Sequence, residues 1–129
     1  MKQILFFIFA MSLFTACEEK SKLEEEVIAI HDEVMPKMGD MHLARKALRK
    51  VLEKTEDEVV KKEILSMIKD LENADEGMMT WMHEWKVPKN EPEKTTYLNK
   101  EKEKITKVKV DMLTSLENAH NFLSKNKEQ

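Results

Sequence analysis

The apolar residues of this chain recur in alternating steps of four and three along three long stretches, a spacing that only α-helix turns into a continuous face. Leu23, Val27, Ile30, Val34, Met41, Ala44, Leu48 and Val51 make the first series, with Lys37 in its one missing step. Val60, Ile64, Met67, Leu71, Ala74, Met78, Trp81 and Trp85 make the second without interruption. Leu98, Ile105, Val108, Met112, Leu116, Ala119 and Leu123 make the third. Breakers are scarce, with 2 Gly and 3 Pro in 129 residues, while Glu, Lys, Leu, Met and Ala are strong helix formers. Only Lys107-Val108-Lys109-Val110 alternates like a strand, and its flanks assign it to helix.

Start and stop signals divide the series. Ser21-Lys22-Leu23-Glu24 reads as a capping box, and Thr55-Glu56-Asp57-Glu58 as a second one opening the next helix. Lys86 to Thr95, with Pro88, Asn90 and Pro92, reads as the one real loop. The third helix runs to about Lys125, with Lys100 to Lys104 as a solvated charged face. Each helix is then roughly 45 Å long at 1.5 Å per residue. The short link near Thr55 makes the first two antiparallel. The expected fold class is all-α: an antiparallel up-down-up three-helix bundle over residues 21–129, following a cleaved lipoprotein signal peptide. A helical hairpin that completes its core as a homodimer is the alternative. Folding about Thr55 places His31 opposite Met79 and Pro36 opposite Ala74. Pro36 removes a backbone donor and Gly39 and Gly77 weaken the same level, so a kink or local break is expected midway along the hairpin.

The first sixteen residues have the zones of a bacterial export signal: Lys2, the apolar run Ile4 to Phe14, and the small pair Thr15-Ala16. Cys17 follows directly. Phe14-Thr15-Ala16-Cys17 resembles a lipobox, with Phe where Leu is commoner, so residues 1–16 are expected to be removed and Cys17 lipidated. That apolar run falls short of the ~20 residues a spanning helix needs. Residues 17–20 are then the lipidated cysteine and a short tether. Cys17 is also the sole cysteine, so stability must come from packing without disulfides. The expected location is the cell envelope, lipid-anchored, on the periplasmic side of the outer membrane or at the cell surface. Glu18-Glu19 fits either a surface-directing run or an ordinary tether.

Charge excludes one class of partner. The 22 basic and 25 acidic residues are interspersed, with net charge -3, so no basic stripe exists of the kind nucleic acid requires. Catalytic constellations are missing. Glu117-Asn118-Ala119-His120 is a single Glu-x-x-His where a di-iron bundle needs two, and His31-Asp32-Glu33 lacks a nucleophile elbow, a phosphate loop or a second zinc-binding histidine. Soft-metal donors do recur one helical turn apart, as His31/Met35, Met38/His42, Met78/Met82 and Met79/His83. Thioether with imidazole suits Cu(I), and a Trp81 ring could cap it. His31, Met35, Met78, Met79, Met82 and His83 are therefore the metal candidates. Methionine is also the usual filler of irregular cores, which explains the same residues structurally. Haem is disfavoured, since no Cys-x-x-Cys-His is present. Trp81 and Trp85 could anchor a partner protein. Alternatively the third helix covers them through Tyr97 and Leu98.

Residues 27–48 (VIAIHDEVMPKMGDMHLARKAL), 78–85 (MMTWMHEW) and 108–119 (VKVDMLTSLENA) resemble a group of small bacterial lipoproteins often called viral A-type inclusion protein. The resemblance spans most of the chain after Cys17, and His-Asp-Glu-Val-Met-Pro-Lys-Met-Gly is its most specific part. It implies helical structure and no activity or site residues. The expected function is that of a lipid-anchored envelope helical protein acting as a binding or scaffold module, not an enzyme. Its membrane contact would be through the N-terminal lipid and its protein partner is open. The alternative is an envelope copper-binding protein using the Met/His cluster.

Overall fold

The computed structural model describes residues 21–126, and every described residue lies in a helix or in a turn between helices. The signal peptide of residues 1–16, Cys17 and the tether of residues 17–20 fall outside the described residues. The helices are α1 (Lys22–Val34), α2 (Lys37–Leu52), α3 (Glu58–Glu84) and α4 (Glu93–Lys125). The first two are halves of the single helix expected there, parted at Met35-Pro36.

That break is a local effect of proline. Met35 and Pro36 both keep right-handed helical torsions, but Pro36 has no N–H to offer the Asp32 carbonyl. The next donor, Met38 N–H, reaches back only three residues to the Met35 carbonyl at 3.2 Å. A tightened turn results, so the axis bends without a loop. Gly77 has no such effect, and the weakness expected in the facing helix is absent: α3 runs unbroken through it. An amide donor is what holds a helix together, and glycine keeps its own. At Gly77 the missing side chain instead lets α4 come close, since a Cβ there would stand 3.8 Å from Val108 Cγ2.

Helix starts follow the capping chemistry, with one correction. Ser21 Oγ accepts from Glu24 N–H at 3.3 Å, as its capping box requires. At the second start the cap is Asp57 and not Thr55. Its carboxylate accepts from Val59 N–H at 2.8 Å and Val60 N–H at 3.2 Å. A carboxylate satisfies two orphan donors and also meets the positive end of the helix dipole, which a threonine hydroxyl does less well.

The core gathers Val27, Val34, Met41, Ala44 and Leu48 from the first two helices with Ile64, Leu71, Ala74, Met78 and Trp81 from α3. Ile105, Met112, Leu116 and Ala119 close it from α4. Full burial of such a side chain contributes about 1.5–3 kcal/mol. Ile68 is buried as well although it stands off the α3 seam, because α3 borders both α2 and α4 and needs a wider apolar face than a two-helix seam provides.

Ion pairs record the register. Glu26 meets Lys102 at 2.8 Å and Glu33 meets Lys109 at 2.6 Å, both 76 residues apart, so numbering rises together along α1 and α4. Between α2 and α3 it runs oppositely: Arg45 binds Asp75 and the Leu71 carbonyl, and Arg49 binds Glu72. His31 meets Trp81, two residues from the Met79 expected opposite it. One element of the charge reading fails. Lys100 to Lys104 is not uniformly solvated, because Glu101 is only 2% exposed.

Candidate functional site

Most of the chemically capable side chains collect where the end of α3 is covered by α1 and the start of α4. Four rings form a ladder there. His31 stacks on Trp81 at 5.5 Å between centroids and 28° between planes, Trp81 lies 4.9 Å from Trp85, and Trp85 lies 5.8 Å from Tyr97. The i,i+4 spacing of Trp81 and Trp85 puts both on one stripe. Tyr97, one turn into α4, returns from the loop to meet them, and its hydroxyl accepts from Lys86 N–H at 2.7 Å. Trp81 is therefore buried and Trp85 half-buried. The third helix covers these rings, so they are core in preference to a free anchor.

Two polar groups are enclosed with them. Glu101 Oε1 accepts from Lys104 Nζ at 2.8 Å, and Glu84 lies 3.9 Å from the same ammonium. The hydrogen bond to Glu101 raises the Lys104 pKa above the ordinary lysine value, against an opposing effect of desolvation. Glu101 Oε2 and Trp81 Nε1 have no partner among the described residues. An unpaired buried donor or acceptor costs about 1–3 kcal/mol. On the open side of α1, Lys102 pulls the exposed Glu26 carboxyl below its ordinary value by hydrogen bonding and charge.

The proposed metal ligands do not come together as one group of six. Met78 is fully buried in the core, while Met79 is 52% exposed and Met82 38% exposed. His83 is exposed, one turn beyond Met79 on the outer side of α3. His31 and Met35 lie on α1 and at the break, both half-buried. His31 Nδ1 is 2.8 Å from Asp32 Oδ1. Since an ionised carboxylate only accepts, Nδ1 carries the proton and the neutral ring keeps its lone pair on Nε2. Among the described residues no three His, Cys, Asp or Glu side chains are placed to hold a metal ion.

Glu101 had a sequence signal that composition hides. Leu98 and Ile105 are seven residues apart, so residue 101 fills the empty step of the third series and must face the core whatever its polarity. Lys37 fills the equivalent gap in the first series yet stays exposed, because the bend at Pro36 turns it out. Ser115 is also buried, and its hydroxyl donates to the Met112 carbonyl at 3.1 Å.

At the opposite end, α2 and α4 leave a groove lined by Leu43, Ala44 and Ala47 on one wall and His120, Leu123 and Ser124 on the other. The alanines keep it open. Leu43 stands on its rim at 63% exposure, and no polar series reveals it because its members are spread over two helices. The chain matches no protein-family model, no curated protein and no solved structure.

Proposed function

We propose that this chain is a lipid-anchored cell-envelope protein, an up-down-up three-helix bundle that acts as a binding or scaffold module and performs no catalysis. The apolar groove between α2 and α4 carries the reading. An exposed leucine beside two alanines on a surface otherwise laced with ion pairs offers a partner helix apolar area without demanding that it bury a charge. The constant 76-residue offset between α1 and α4 and the opposed numbering of α2 and α3 support the bundle topology. The chemically capable groups favour the same conclusion, since His31 is held by Asp32 and Glu101 by Lys104.

The anchor would set the geometry. Lipid on Cys17 leaves only Glu18 to Lys20 before α1, a tether of roughly 10–15 Å when extended. Leu43, some twenty residues further along α1 and α2, then stands about 30 Å above the membrane. Attachment at one end and a groove near the other suit a module that presents a partner at fixed height. The resemblance to small lipoproteins agrees with the anchor and adds no partner.

A photo-cross-linking residue at Leu43 of the membrane-attached chain tests the groove, with Lys69 on the outer side of α3 as control. A discrete adduct from position 43 alone, lost in Ala47→Glu, is the expected result, and its mass separates a second copy from a different protein. No adduct, or equal adducts from both positions, overturns the docking role. Retention of Cys17→Ala in the membrane fraction overturns the anchor.

A further inference from the structure

We infer that His31, Met35 and Met82 form a binding site for a soft monovalent metal ion, Cu(I), on the seam between α1 and the end of α3. This goes beyond the scaffold reading and does not depend on it.

The first donor is already oriented. The Asp32 contact at 2.8 Å fixes the proton on His31 Nδ1 and leaves Nε2 free, an arrangement that orients a histidine ligand and raises its basicity. Met35 follows one helical turn later on the same face. The 5.5 Å stack of His31 on Trp81 brings this face to the level of α3 where Met82 is the next residue. Met82 keeps 38% exposure, so its sulfur is reachable from solvent.

The seam also has room to adjust. α1 packs its backbone against α4, and α2 against both α3 and α4, so past the Pro36 bend the α1–α3 junction is filled by side chains alone. Methionine, with three rotatable bonds and a polarisable sulfur, can swing a donor into such a junction without moving a helix. Two thioethers and one imidazole select Cu(I) over harder ions, and the Trp81 face against His31 can add a cation–π contact. The remaining candidates are less suitable. Met78 is sealed in the core, and Met79 with His83 forms an outward pair lacking a donor from a second helix.

The full chain in detergent micelles, titrated with Cu(I) against bicinchoninate, tests the site. The expected result is uptake of one ion per chain with quenching of tryptophan emission. Met35→Leu combined with Met82→Leu should weaken uptake at least tenfold, as should His31→Gln alone. Asp32→Ala should weaken it roughly tenfold by releasing the ring, and Met79→Leu should leave it unchanged. Leucine conserves volume, and an unchanged circular dichroism melt shows that the variant folds. No uptake by the native chain, full uptake by both the double variant and His31→Gln, or loss in Met79→Leu overturns the assignment.

Discussion

Replacing Gly77 by alanine should stabilise the protein, although the residue sits in the middle of the bundle. Glycine inside a helix is about 1 kcal/mol worse than alanine, because it surrenders more backbone freedom on folding. The usual objection is steric, and here it can be worked from the structure. A Cβ at position 77 meets only Val108 Cγ2, at 3.8 Å, an ordinary van der Waals separation. The new methyl is thus placed against apolar surface without displacing it, which adds up to about 0.8 kcal/mol of burial. A gain of 1–1.5 kcal/mol follows, raising the melting temperature by roughly 5 °C for a domain of this size. Gly77→Val should reverse the sign, since its extra carbons extend into the space Val108 already occupies, at a cost of about 1–3 kcal/mol. Gly39→Ala, with nothing within 4 Å of its Cβ, should gain from propensity alone. Urea melts with an unchanged m-value read all three. A Gly77→Ala protein destabilised by 1 kcal/mol or more would refute the reasoning, because α3 and α4 would then approach more closely than 3.8 Å allows.

Glu101→Met should be neutral or stabilising by up to about 2 kcal/mol in urea melts, since it removes an unpaired buried oxygen, whereas Lys104→Ala should destabilise by about 2 kcal/mol by leaving that carboxylate alone. The raised pKa of Lys104 contributes stability that is complete below the ordinary lysine value of 10.5 and is lost as pH rises through the raised folded value. Alkaline melts of Glu101→Met should lack that part of the decline. Pro36→Ala restores the N–H that the Asp32 carbonyl lacks, so it should join α1 to α2, raise the far-ultraviolet helical signal and stabilise by about 1–2 kcal/mol. Neither gain appearing would mean that packing, and not the proline, maintains the bend.

The helices were legible because their signal is distributed over many residues. Val27, Met41, Ile64, Leu71, Ile105 and Met112 all fall on the seams read from spacing and are all fully buried, and Pro36 breaks the first helix where a missing N–H must. Single-residue features were harder. Asp57 displaced Thr55 as the cap because the capping-box pattern matches a spacing without comparing acceptors, and a carboxylate two residues later outcompetes a hydroxyl. Glu101 was concealed by the charges around it, although its step in the series was the right one. The methionines divided by helix face. Met78 and Met79 are adjacent in sequence yet one is sealed and the other half open, since neighbours on a helix stand about 100° apart and only the position of the other helices decides which one they cover. The groove beside Leu43 belongs to α2 and α4 jointly, and periodicity within one segment cannot report a surface made by two.

The two halves of the bundle differ in what holds them, and that difference locates where it can respond to a ligand. From Met41 to Leu48, opposite Ile64 to Ala74, the core is apolar side chains throughout, and Arg45 fastens the outside through Asp75 and the Leu71 carbonyl. Opening this half exposes apolar surface with nothing to offset it. On the other side of Pro36 the interior contains an indole N–H and a carboxylate oxygen without partners, together with thioethers and four stacked rings. Water admitted there would satisfy two groups that the folded state leaves unpaired, at roughly 1–3 kcal/mol each, so local opening is cheaper by that amount than in the apolar half. Proline adds to the asymmetry, because a helix already interrupted can tilt its outer segment without breaking a further hydrogen bond. Residues 22–34 are thus the segment that can move, His31 is the reactive side chain it would carry, and α2 with α3 is the fixed frame against which that movement is felt.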